Sequence, residues 1–425
     1  MGMIESVEIL GYRAVKYAKI PLSPFQVLVG PNGSGKSTFF DVFQLLRDIL
    51  TVGLDRSVFG DARFLIPQRA ADPRDLTWLR SGGRIEIAIN IRLPDLVRQK
   101  LKNEFAGARY ELAVQTEGVL GFDSEALFLC KSLEGAVDRQ PIPFPAIAAP
   151  PRHVVRQSST KTPPGWRRII SKVGESGNDY FRAEASDWNN LFRLGPTKSA
   201  LSNLPEDEDK FPAATWVKRL LMESVHRLSL NAEAMRLPSP AGSTRDFLPD
   251  GSNLAWVVHR LATEHPDRHA AWIDHLRTAL DDVVGVSTVE RPEDRSRYLQ
   301  VAYANGLEAP SWLLSDGTLR MMALTLLAYV PSSASLLLIE EPENGIHPRA
   351  VESVMQSLSS VYDAQLFCAT HSPLVLGMAG LDQLLCFGKA ADGSVDVVRG
   401  TEHPRLREWK SAIHLGDLFA AGVLG

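Results

Sequence analysis

Gly30-Pro31-Asn32-Gly33-Ser34-Gly35-Lys36-Ser37-Thr38, written GPNGSGKST, fits the phosphate-loop pattern G-x-x-x-x-G-K-[ST]. The five residues before it, Phe25-Gln26-Val27-Leu28-Val29, read as a strand. After it, Phe39, Val42, Phe43, Leu46 and Ile49 recur at the 3.6-residue period of a helix over 36–50. Strand, glycine turn, helix is the setting in which the pattern has physical content. Glycines let backbone N–H groups wrap phosphates, and the helix N-terminus adds positive potential. Lys36 is then placed for the β- and γ-phosphates and Ser37 for Mg²⁺.

Working outward, the apolar run 336–339 ends in Glu340-Glu341. Parallel sheets bind their ligands at the carboxyl edge of the strands, so two acids there face the same phosphates. Glu340 is placed to orient Mg²⁺ or its water, and Glu341 to polarise an attacking water. The next strand, Gln365–Ala369, runs into Thr370-His371-Ser372-Pro373. A lone histidine is usually structural, but beside two carboxylates His371 reads as a γ-phosphate contact. A second anion-gripping turn, Ser315-Asp316-Gly317 in WLLSDGTLR, opens a helix over 319–329, far from the phosphate loop in sequence. A further helix spans 349–362, with Val351, Val354, Met355, Leu358 and Val361 inward. Both ends of the chain therefore build one α/β layer.

The remainder is different in texture. Residues 4–10, 84–91, 108–116 and 126–130 alternate as strands do, which predicts an antiparallel sheet with one wet face. Residues 139–174 are rich in proline and arginine and contain no acid. They read as an exposed irregular excursion, or alternatively as a nucleic-acid contact through Arg152, Arg156, Lys161, Arg167 and Arg168. Trp216, Val217, Leu220, Leu221, Val225 and Leu228 mark one helix, and 254–262 and 270–283 two more. No heptads are sustained, so coiled-coil arms are not expected. The expected division is 1–138 as an N-terminal lobe, 139–300 as an inserted region and 301–425 as a C-terminal lobe.

With 44% hydrophobic and 23% charged residues the chain should fold throughout. A net charge of −4 argues against a general nucleic-acid coat. No apolar run is long enough for a membrane span, and Glu5 stands where a secretory signal would carry basic residues, so a cytoplasmic protein is expected. Cys130, Cys368 and Cys386 lie in apolar runs and read as buried thiols rather than a metal or redox site.

Taken together, GPNGSGKST, LLSDGTLR, LLLIEEPENGIHP and CATHSP resemble the head of an ABC-type ATPase of the RecF, SMC and OLD branch. They are similar to the stand-alone ATPases grouped as AAA-type family 21. The opening IESVEILGYRAVKYAKIPL and the closing HLGDLFAAGVLG are similar to that group as well. The resemblance is firm over 1–60 and 300–425 and loose between. It implies an α/β P-loop head built from both chain ends, an antiparallel β lobe, an inserted largely helical middle, and ATP with Mg²⁺ as cofactors. Residues 30–38 become Walker A, Glu340 the Walker B acid in place of the usual aspartate, Glu341 the catalytic glutamate, and His371 the switch histidine. Ser315, Asp316 and Gly317 become the signature turn, 342–348 the D-loop, and Gln68 a candidate Q-loop metal contact. In such a head the signature turn, with Arg320, completes the site of a facing copy, which implies a head-to-tail homodimer. Two roles follow from the resemblance: an ATPase gating a separately encoded effector, such as a Toprim-like nuclease, in anti-phage defence, or a RecF-like DNA clamp in repair or recombination. Asp382, Asp392 and Asp396 are scattered rather than clustered for metal, so a nuclease would have to come from a partner.

Overall fold

Two sheets meet across the helix that follows the phosphate loop in the computed structural model. The structure describes residues 3–133, 143–147, 149–156, 161–174, 179–186, 188–243, 246–331, 336–361, 364–407 and 415–420. In the first sheet Val225–Leu228, Leu336–Glu340, Gln365–Ala369, Phe25–Val29 and Leu384–Lys389 run parallel in that spatial order. Val395–Arg399 closes its edge as an antiparallel hairpin partner.

These strands are apolar on both faces because both faces are covered. Leu28, Leu338, Phe367, Leu385 and Phe387 enter one core with Phe39, Phe40 and Phe43 of the helix Lys36–Val52. Their neighbours Val27, Val29, Ile339, Leu366, Cys368 and Cys386 enter the other, beneath the helices Asp316–Leu326 and Pro348–Ser359. The Phe39 ring lies 5.2 Å from Phe43, 5.8 Å from Phe387 and 6.1 Å from Phe367, centroid to centroid. Helix and sheet are thus fixed together directly below the phosphate loop. All three cysteines are buried, as expected, and none is in a disulfide.

The second sheet has eight antiparallel strands, in the order Val15–Pro21, Met3–Tyr12, Arg84–Arg92, Gly107–Gln115, Gly121–Cys130, Trp166–Val173, Asp179–Arg182 and Asn189–Phe192. Val7, Ile9, Ile87, Ile89, Tyr110 and Leu112 join the first core. The opposite face is not wet, contrary to the alternation pattern: Glu86, Asn90, Arg109 and Glu111 are all buried there, while Glu125, opposite Leu112, is buried on the core face. Alternation records polarity rather than exposure, and here the polar face is satisfied by backbone from elsewhere in the chain. Val154 N and Val155 N donate to Glu86 Oε2 at 2.6 and 2.9 Å, and Arg156 N donates to Glu111 Oε2 at 2.7 Å. Arg109 donates to Glu111 at 2.6 Å and to the Val154 carbonyl at 2.9 Å. Glu125 accepts from Tyr110 Oη, Ser199 Oγ, Ala200 N and Leu201 N. These hydrogen bonds offset the penalty of isolated buried charge, although at Glu125 burial still holds the carboxyl above the usual range.

The proline-rich basic stretch is therefore no free excursion where it is described. It is a strap, with Ala146 N donating to Asp396 Oδ2 at 2.9 Å at one end and residues 154–156 docked on the antiparallel sheet at the other. Arg167 donates to the carbonyls of Ala183 and Ser186, Arg168 is buried over the Phe128 ring, and Arg156 lies 4.4 Å from the Trp166 ring centroid. Arg152 and Lys161 remain exposed.

The region 139–300 supplies strands to both sheets as well as helices. The helix expected to continue through Val225 and Leu228 stops at Glu223, and Val225–Leu228 pairs in parallel with Leu336–Glu340. An edge place in the ladder satisfies that backbone, a tertiary gain that helical spacing alone does not reveal. Leu254–Glu264 and Pro266–Arg277 pack beside a small sheet formed by Val283–Glu290, Arg297–Tyr303 and Glu308–Pro310. Among the described residues the longest helix has 17 residues, so no coiled-coil arm is present in them. None of their helices is long and apolar enough to cross a membrane.

Candidate nucleotide-binding site

Between the strand Phe25–Val29 and the helix Lys36–Val52, Pro31, Asn32 and Gly33 stand exposed while Ser34, Gly35 and Lys36 are buried. Two of the glycines are required by local geometry. Gly30 has φ 151° with Phe387 O against it, and at Gly35, φ 97°, a Cβ would come within 2.7 Å of the Val395 side chain. Lys36 Nζ donates to the carbonyls of Gly30 at 2.6 Å and Pro31 at 3.1 Å. Ser37 is exposed at the first helical turn with Thr38 beside it, and the buried Ser34 hydroxyl has no partner among the described residues.

Burial pushes the Lys36 ammonium down to about 8, against the opposing pull of Glu340 and Glu341. A bound triphosphate favours the charged amine and raises that value. Metal-free ATP should therefore bind best below pH 8 and weaken as pH rises through 8, when the empty site loses its proton, by at most about tenfold per pH unit. Titrating a fluorescent ATP analogue between pH 7 and 9.5 measures this; a flat profile would show that Lys36 does not meet the phosphates.

At the carboxyl edge of the same sheet, Glu340 Oε2 accepts from Arg227 Nη2 at 2.8 Å, while Glu340 Oε1 is buried without a partner among the described residues. Glu341 turns out of the strand with φ 47°, its N–H donating to Ala369 O at 2.8 Å, and its side chain is exposed. A left-handed glutamate is strained by about 1 kcal/mol, and the turn aims its carboxylate off the end of the sheet. His371 is held below the usual imidazole range, first by burial and then by the charge of Lys36, with Glu341 and Glu343 acting the other way. It is therefore neutral near pH 7. Glu340 lies opposite Ala369 and Ala369 opposite Leu28 in the parallel ladder, so Glu341, His371 and the phosphate loop leave adjacent strand ends.

The turn at 315–317 is built differently. Ser315 caps the helix Asp316–Leu326, accepting from Thr318 N at 3.1 Å. Asp316 pairs with Arg236, which also donates to Leu314 O, and Arg320 donates to Leu230 O at 3.3 Å. Gly317 packs on the segment after Glu341 so closely that a Cβ would lie 2.5 Å from Gly345 O. Among the described residues, no hydrogen bond or ion pair joins Ser315, Asp316 or Gly317 to the phosphate loop.

A family model described as "AAA domain, putative AbiEii toxin, Type IV TA system" matches residues 25–377. The chain belongs to this AAA family. The fold is that of an SMC head. A structure of an SMC head bound to the C-terminal winged-helix domain of ScpA is 15% identical, covers 93% of this chain and 97% of its own, and superposes with a TM-score of 0.51. An SMC head from Pyrococcus furiosus with an extended coiled coil, bound to the C-terminal domain of ScpA, is 14% identical over 94% of this chain and 96% of that one, with a TM-score of 0.49. No curated protein matches.

In this AAA head, Gln68 does not join the group at the phosphate loop: it is exposed and donates to Ala70 O at 3.3 Å. Its neighbour Arg69 is the anchored residue, meeting Asp41 at 2.8 Å and Asp48 at 2.7 Å on the Walker A helix. Three polar residues near the site had no individual role in the sequence reading, although Glu343 lay within the expected D-loop 342–348. They are Arg227, Gln44, whose Oε1 accepts from Arg227 Nη1 at 3.0 Å, and Glu343, whose Oε1 accepts from Thr370 Oγ1 at 2.6 Å while its buried Oε2 has no partner. Only Glu343 carried a signal, its place in the carboxylate run after the strand. The group set fits Mg–ATP: an exposed glycine-rich turn, an ammonium, an exposed Ser37 residue and the Glu340 Oε1 that has no partner among the described residues.

Proposed function

We propose that this AAA-family head binds Mg–ATP at residues 30–38 and hydrolyses it to ADP and phosphate, and that two copies pair head to tail so that each completes the other's site. The observation that carries this reading is the gathering of Lys36, Glu340, Glu341 and the neutral His371 at one sheet edge, while the Ser315 turn rests on the D-loop instead. Lys36 would hold the β- and γ-phosphates, Ser37 and Glu340 the cation with its water, and the cation would neutralise developing phosphate charge. Glu341 would orient and polarise the water whose oxygen attacks the γ-phosphorus as the bond to the β-γ bridging oxygen breaks. His371 would sense the γ-phosphate, and Ser315, Asp316 and Gly317, with Arg320, would reach the phosphate held by the partner's phosphate loop.

The cycle would gate a separately encoded effector, such as a Toprim-like nuclease, in cytoplasmic anti-phage defence. The toxin-system description of the family supports that role. The DNA-clamp reading needs an outward basic row, and Arg167 and Arg168 turn to their own chain.

Mixing two inactive variants tests the shared site. Lys36→Ala and Ser315→Arg homodimers should each be inactive, and random exchange should restore at most about a quarter of the wild-type number of intact sites. ATPase activity that stays absent after demonstrated subunit exchange would sink the head-to-tail arrangement.

A further inference from the structure

We propose that Arg227 is a positioning residue for the metal-binding carboxylate, fixing one oxygen of Glu340 so that the other is presented to the cation or its water. The inference rests on the Mg–ATP reading of the site.

Three elements converge on this guanidinium. Arg227 lies on the edge strand opposite Leu338, two residues before Glu340 on the adjoining strand. Its Nη2 meets Glu340 Oε2 at 2.8 Å and its Nη1 meets Gln44 Oε1 at 3.0 Å. Gln44 is seven residues after Ser37 on the same helix, and two turns bring both to one helical face. Clamp and metal-side hydroxyl therefore share one side of the Walker A helix.

Glu340 Oε1, buried and without a partner among the described residues, is the oxygen left over. A carboxylate with one oxygen clamped and one idle is how an outer-shell partner orients a metal ligand. The clamp also gives the extra methylene of Glu340 a use. Aspartate would end about 1.5 Å shorter and could not both reach Arg227 and keep its second oxygen in the same place.

The test is equilibrium binding of a fluorescent ATP analogue to the full chain, without metal and across a Mg²⁺ titration. Arg227→Ala should leave metal-free affinity unchanged and raise the Mg²⁺ concentration for half-maximal enhancement by about 10- to 100-fold. Arg227→Lys should recover part of the loss. In a Glu340→Asp background, Arg227→Ala should add little, because the clamp is already lost. Should Arg227→Ala fail to fold, Gln44→Ala should shift the Mg²⁺ dependence in the same direction. Unchanged or tighter Mg²⁺ dependence, with metal-free binding intact, would overturn the proposal and make Arg227 a bystander or a competitor of the cation. A wild-type protein that takes up no nucleotide even with Mg²⁺ would instead sink the reading of the site itself.

Discussion

Glu341→Gln is expected to bind Mg–ATP about as well as the wild type and to hydrolyse it about 10²- to 10⁴-fold more slowly, the usual worth of a positioned general base. The amide keeps the size and turn of the residue but cannot draw a proton from water. Because Glu341 is exposed at the strand end and, among the described residues, its side chain accepts a single long hydrogen bond of 3.5 Å from Asn344, the substitution should cost the fold little. Binding and chemistry should therefore separate: analogue affinity holds while single-turnover hydrolysis falls. On the head-to-tail reading, this variant should also remain dimeric in ATP. Hydrolysis at near wild-type rate would place the proton acceptor elsewhere.

Phe39→Ala should lower stability by about 3–5 kcal/mol, read as a shift of the urea midpoint at unchanged slope. The ring is buried among Phe43, Phe367 and Phe387, so its loss opens a cavity between the Walker A helix and the sheet. Phe39→Leu should recover most of the loss. A change of less than about 1 kcal/mol for Phe39→Ala would mean that the helix is not seated as described.

The phosphate loop, the acids after the strand 336–340 and the histidine after Gln365–Ala369 were legible because each is a local event: a period of two or 3.6 broken by a glycine turn or a charged strand end. What sequence could not show depends on partners distant along the chain. Arg227 meets an acid 113 residues away. The acids Glu86 and Glu111 looked solvated because the backbone that covers them arrives from 154–156. The basic stretch looked free for the same reason, seen from the other side. Val225 and Leu228 have a spacing that suits a helix as well as an edge strand, and only the neighbouring strand decides between them.

The strap is held by amide hydrogens given to acid side chains: Ala146 to Asp396, Val154 and Val155 to Glu86, Arg156 to Glu111. Every amino acid but one carries that hydrogen, so the fastening reads almost nothing of side-chain identity. Its vocabulary excludes only the imino acid, in a stretch that uses that residue at 143, 145, 150 and 151 and at none of the four donor positions. Substitution should be widely permitted at exposed strap positions such as Arg152, while Val154 and Val155 must also keep apolar side chains for the cluster they share with Ala113, and the letter forbidden at all four donor positions should be proline.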